Sequence, residues 1–474
     1  MKKKSALSLR QILFLAAVLL AFGSLTLFLF QYKKDEKRFT NITSRLFTEE
    51  MTSSTLNMHY SIAHPSDFGI YDYDTVLPGY DADNTLKGQF ALENTIAALR
   101  SVRTEKLNDS DAYLCKLLTR YLDNSMALGS FRYYSEPLAP SSGMQSQLPI
   151  LLAEYTFRTR RDVEDYLTLL DQTDEYFASL LVYEQEKAAA GLSMPASSLK
   201  SVRKQCDTIV TSEALDSNSH FLQTTFAERL QPLLENGTIT AADAQKYTDT
   251  NDRLLRTVLL PAYVALGDGL LLLEDPAVPL TGLAAKPQGK EYYEALLLSE
   301  TGSYRPVSEV QELLTAQFTA EYEAIRNLLT QHPDAAKRYT QDEEIAFPLR
   351  DVSQMLTDLQ GRMKGSFPAI SGEAVSVSVK PVSESLESYS APAFYLTTPL
   401  DDTTQNVIYI NQQKTPKGLE LYTTLAHEGY PGHLYQTVYS NRRTLAEGER
   451  PAKELLWYGG YLEGWALYVE FLSY

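Results

Sequence analysis

A mainly α domain, with a small β-sheet next to a metal-binding helix and a transmembrane helix at the N-terminus, is the fold class this sequence predicts. Three observations predict it. Apolar residues recur at helical spacing from about residue 40 to 370, strand-like alternation begins near residue 372, and residues 424–436 set two of the six histidines around a Pro-Gly pair.

The chain opens with Lys2, Lys3, Lys4 and Arg10, followed by nineteen uncharged residues from Ile12 to Phe30. At about 1.5 Å per residue this run reaches about 29 Å, enough to cross a hydrocarbon core. A cleaved signal peptide has a shorter apolar region and a small-x-small site. Residues 28–32 offer no such site, so an uncleaved signal anchor is favoured over a removed signal peptide. No cysteine precedes Cys115, which excludes a lipoprotein anchor. Lys33, Lys34, Lys37 and Arg38 follow the span, with Asp35 and Glu36 among them. Acidic residues count little in the positive-inside rule, and the N-terminal side also bears the amino group. The N-terminus is therefore expected in the cytoplasm and the rest of the chain outside. The division that follows is a cytoplasmic basic tail at 1–11, a signal anchor at 12–31, a juxtamembrane linker at 32–45 and one helical domain at 46–474.

The whole chain carries a formal charge of −17. Residues 1–38 hold eight basic and two acidic side chains, which leaves 35 basic against 58 acidic in the remainder. That balance argues against nucleic acid as a partner and against adhesion to anionic lipid beyond the anchor. Oligomeric state is not legible. Two cysteines, Cys115 and Cys206, are too few for a disulfide framework, and neither lies in a CxxC pair.

The helices justify themselves in order. Asp162 leads into Leu167, Leu169, Leu170, Phe177, Leu180 and Leu181, a stripe near the 3.6 period. Thr240 with Asp243 forms a capping-box start, and Ser308 with Gln311 predicts another before Leu313, Leu314 and Phe318. Pro261 falls within a helix expected from about Asn251 to Leu273 and should kink it. Proline-rich stretches at 135–142 and 275–288 read as loops inside one domain.

After residue 372 the texture changes. Residues 373–380 alternate strictly, Ala393–Leu396 forms a second short strand behind Pro392, and Val407–Asn411 a third. Such a sheet either packs on the following helix or offers an edge on which an extended peptide can pair.

The metal expectation rests on His427-Glu428-Gly429-Tyr430-Pro431-Gly432-His433 and on Glu463 some thirty residues later. The two histidines are six apart, about 240° off-face on an unbroken helix. A regular helix could not chelate with both. Pro431 breaks or bulges the helix, and Gly432 gives the backbone freedom to bring His433 round. Glu463 lies among Tyr461, Leu462, Trp465, Ala466 and Leu467, where an unpaired carboxylate would be costly. The other four histidines, His59, His64, His220 and His332, lack ligand spacing.

HEGYPGHLYQ (427–436) followed by LEGWALYVE (462–470) resembles the bacterial family known as domain of unknown function 885 (DUF885), placed among gluzincin-type zinc peptidases. The likeness extends to residues 58–70, 133–170, 260–270, 286–297 and 407–411. It implies a zinc-peptidase-like, mainly helical fold and names no substrate. Members of that family continue well past the Glu-Gly-Trp-Ala helix, so a chain ending at Tyr474 is expected to lack its C-terminal part.

The chemistry expected is a membrane-anchored, extracytoplasmic zinc metallopeptidase acting on peptides. His427, His433 and Glu463 would supply three ligands and leave a fourth position to water, which zinc makes nucleophilic near neutral pH. Glu428 would be the general base, passing the proton to the leaving amine. Tyr430, Tyr409, Asn411 and Tyr435 are candidate substrate or oxyanion donors, unranked by the sequence. Two alternatives stay open: a metal-dependent hydrolase of a non-peptide ester or amide, and a non-catalytic binding protein with a vestigial site. The second has no physical need for Glu428.

Overall fold

The computed structural model describes residues 34–474 except 81, 276–277, 279, 341–346, 383 and 388–389. The basic tail and the apolar segment at 12–31 lie outside the described residues. The protein is mainly helical, with a three-stranded sheet late in the chain.

The linker expected at 32–45 is corrected by the structure. Residues 34–53 form a helix whose Phe39 and Ile42 are buried, and Asp35 pairs with Arg103 at 2.6 Å. The dense charges of 33–38 concealed the apolar period that starts at Phe39. This helix shares a core with the Ala82–Arg100 and Asp109–Gly129 helices through Leu99, Leu114 and Leu118.

A second and larger core is built by the helices between Met144 and Leu271. Thr159 and Asp162 form a capping box that starts the Arg160–Asp171 helix, and Thr240 with Asp243 does the same for Ala241–Leu254. Pro261 acts as expected but one turn earlier than its own position. Its missing N–H and the clash with the preceding turn are absorbed by a π-helical turn at Leu255–Leu259 before the helix resumes at Leu260. Among the described residues, Ala241–Leu271 is long and apolar enough to cross a membrane. Here it serves the core: Leu254, Leu255, Leu259, Tyr263, Leu266 and Leu270 are all buried. Cys115 and Cys206 are free and buried in two different cores, so they do not pair.

The start predicted at Ser308 is also corrected. The helix runs Val307–Gln331 and is preceded by Pro306, with no side-chain cap. Pro306 holds the N-cap place in extended geometry and has no side-chain acceptor to cap the helix. None of this helix is buried; Leu314, Phe318 and Tyr322 face solvent.

The sheet positions the site. Its order is β1 (Ser376–Pro381), β3 (Gln405–Ile410), β2 (Ala393–Leu396), with β1 parallel and β2 antiparallel to the central β3. Side chains alternate across it. Tyr409, Val407, Phe394 and Leu396 meet the large helical core. Ile408, Ile410, Ala393 and Tyr395 face a third core containing Leu421, Leu425, Leu434 and Val438. The sheet is thus a wall between the helical body and the two helices that carry the histidines.

Candidate metal centre

The first of those helices, Gly418–Glu428, buries Leu421, Leu425 and Ala426 against the third core, which leaves His427 and Glu428 in its last turn. The chain then leaves helical geometry at Gly429 and resumes it in a second helix, His433–Ala446. The break expected from Pro431 is present, with a cis Tyr430–Pro431 peptide. Gly432 is required by space: a Cβ there would lie 1.7 Å from the His427 carbonyl oxygen. Tyr435 N–H donates to the Gly429 carbonyl at 3.2 Å, tying the loop to the second helix.

This path brings the imidazoles edge to face, with ring centroids 4.8 Å apart at 84°. Glu463, on the Gly459–Leu472 helix, completes the cluster. His427 Nε2 lies 3.5 Å from Glu463 Oε2, and His433 Nε2 lies 3.6 Å from Glu463 Oε1. The three ligand atoms all fall within 4.8 Å of one another. An ion held tetrahedrally by bonds of about 2.0–2.2 Å separates its ligands by about 3.3–3.6 Å. The donor set could hold a metal ion, zinc suits it in ligand identity, and both His–Glu separations match this spacing. The group stays open, because Glu463 is 68% exposed while the histidines are 20% and 18% exposed.

Glu428 sits behind the cluster. Its Oε2 accepts a 2.9 Å hydrogen bond from the Tyr395 backbone N–H on β2. Burial pushes this carboxyl up to about 7, opposed by His427 and by that N–H. A cation at the site would act in the lowering direction. Burial, and secondly the His427 charge, push the His433 imidazole below its usual range.

Two contacts were not legible in advance. His427 Nδ1 lies 3.1 Å from Glu470 Oε2, and Trp465 Nε1–H donates to the Pro431 carbonyl at 2.8 Å. Glu470 does carry a sequence signal, since seven residues is two helical turns and returns it to the face of Glu463.

The four candidate donors fare differently, and three are corrected. Tyr409 lies on the far face of the sheet, in the large helical core, stacked on Phe394 at 5.0 Å. Asn411 spends its amide on the Glu387 and Ser390 carbonyls at 2.6 and 3.2 Å. Tyr435 donates its hydroxyl to the Pro368 carbonyl at 2.8 Å. Tyr430 is buried in the third core with its hydroxyl unpartnered among the described residues. None of the four hydrogen-bonds the cluster. A second group, His64, Asp67 and Asp401, also lies close together, but Asp401 there accepts the Ala63 and His64 backbone N–H groups at 2.6 and 2.8 Å and acts as a loop tie.

Residues 64–474 match the family described as "Bacterial protein of unknown function (DUF885)". The chain belongs to the DUF885 family. Among solved structures, this DUF885 chain is similar to "the putative lipoprotein from Colwellia psychrerythraea", with TM-score 0.75 and 18% identity over 94% of this chain and 78% of that one. It is also similar to "a putative lipoprotein of unknown function from Shewanella oneidensis", with TM-score 0.51 and 16% identity over 91% and 76%. At these identities the likeness is one of fold. No curated protein matches the sequence.

Proposed function

We propose that this DUF885 chain is a zinc-dependent peptidase, anchored to the cell membrane through residues 12–31 and acting outside the cytoplasm. The observation that carries the reading is the convergence of His427, His433 and Glu463 at metal-ligand spacing, with Glu428 adjacent to the first ligand and held by a backbone N–H. Bound zinc would supply Lewis acidity and a nucleophilic water at neutral pH. The chain's own residues do the rest. Glu428 accepts the proton of the attacking water and returns it to the leaving amine, and the Tyr395 N–H fixes which carboxylate oxygen is free to do so. Tyr395 lies on β2, an edge strand, and its outward N–H is taken by Glu428, so this edge serves to position the base. The two lipoprotein-described structures support a location at the membrane and outside the cytoplasm. The anchor is assigned to the apolar segment at 12–31.

Glu428→Gln tests the roles. It keeps volume and polarity and removes the proton acceptor. Zinc content should stay at the wild-type level, and hydrolysis of a peptide library should fall by about 10²–10⁴. Loss of zinc would make Glu428 a ligand. Retained hydrolysis, or wild-type turnover of esters with none of peptides, would reject the peptidase reading.

A further inference from the structure

The Glu470 carboxylate has no assigned work in the mechanism above, yet it contacts a proposed ligand directly. It lies 3.1 Å from His427 Nδ1 and is 29% exposed, and among the described residues no Lys or Arg lies in salt-bridge range of it. The opposite ring nitrogen, Nε2, is the one that faces Glu463 at 3.5 Å. An imidazole cannot offer the same nitrogen both to a metal and to a proton. With a carboxylate on Nδ1, the proton is held there and the lone pair is left on Nε2.

The helix is built to deliver this. Glu463, Ala466 and Glu470 follow i, i+3, i+7 spacing and share one face. Ala466, between the two carboxylates, is fully buried, so a minimal side chain stands where the helix approaches its neighbour. Glu463 then reaches the Nε2 side of His427 while Glu470 reaches the Nδ1 side. Glu470 is not placed as a fourth ligand, because it approaches the ring at Nδ1, opposite the nitrogen that faces Glu463.

We infer that Glu470 is a positioning residue: it accepts the His427 Nδ1–H, fixes the ring in the tautomer with Nε2 free, and so sets the metal affinity of the site. The role rests on the zinc reading above. Partners of this kind typically change metal affinity by about 10–100-fold.

The test is competitive zinc titration of the full chain against a chromogenic chelator, with the melting temperature of the metal-free protein measured alongside. Glu470→Ala should bind zinc about 10–100-fold more weakly than wild type, with the metal-free melting temperature lowered by no more than the loss of one hydrogen bond allows. Glu470→Gln keeps the volume and an acceptor oxygen but loses the charge, and should fall between the two even if the alanine variant folds poorly. Affinity equal to wild type in both variants, in a protein that does bind zinc, overturns the role of Glu470 and leaves the zinc reading standing. Loss as complete as in His427→Ala, with the fold intact, makes Glu470 a ligand and also overturns it. A wild-type chain that binds no zinc ends both.

Discussion

The two halves of the candidate metal centre are built differently. The histidine half is packed: Leu425, Ala426, Leu434 and Val438 around His427 and His433 are fully buried, and the Gly429–Gly432 loop is fitted so closely that Gly432 has no room for a Cβ. The glutamate half is a helix that buries only Ala466 and Val469, while Tyr461, Leu467, Tyr468 and Phe471 face solvent. What ties it to the histidine half is specific: Trp465 to the Pro431 carbonyl, Glu470 to His427 and Glu463 facing both imidazoles. The difference teaches that one half is preorganised by burial, at a free-energy scale of several kcal/mol, and the other by polar contacts worth about 1 kcal/mol each. Zinc, bound as proposed, would add coordinate bonds from both halves to one ion.

The comparison can be broken from the packed side first. Gly432→Ala should destabilise the protein most, by about 3 kcal/mol or more, because the clash is with backbone that cannot move aside. Denaturant melts will measure it, and a loss under about 1 kcal/mol would show the loop to be pliable. Leu425→Ala should cost about 2–5 kcal/mol, whereas Leu467→Ala, 49% exposed on the other half, should stay within about 0.5 kcal/mol. Equal costs would erase the distinction between the halves. Trp465→Phe should cost about 1–2 kcal/mol in stability, from one hydrogen bond and part of the ring contact with Phe367 and Tyr435. A much larger loss in the same melts would mean that the glutamate half is held by packing after all.

Much of this was readable before the structure. The capping box at Thr240, the three short strands and the helix break at Pro431 each follow from local chemistry. The cluster of His427, His433 and Glu463 was legible from two imidazoles set around a helix break with a carboxylate downstream, although the burial argument for Glu463 fails, since that side chain is 68% exposed. What was not legible depends on which way a known element faces. Alternation shows that Tyr409 and Ile408 point to opposite faces of β3, but it cannot say which face meets the histidine helices. Asn411 reads as a free amide until the Glu387 and Ser390 carbonyls take its donors. Residues 34–45 read as linker because their charges outnumber Phe39 and Ile42, which are nonetheless the residues that decide the fold there. Glu470 was visible at two-turn spacing, but its partner is 43 residues away in sequence.

The central claim is that the two halves meet around one zinc ion. Metal analysis of the purified full chain tests it most directly, comparing wild type with His433→Ala and Glu463→Ala. The account predicts close to one zinc per wild-type chain, removable by a chelator and restored by added zinc, and strong loss of zinc in both variants. It also predicts that the metal-free melting temperature stays near wild type in Glu463→Ala, since that side chain is exposed. Full zinc occupancy in His433→Ala, or no zinc in the wild-type chain after incubation with the metal, would contradict it.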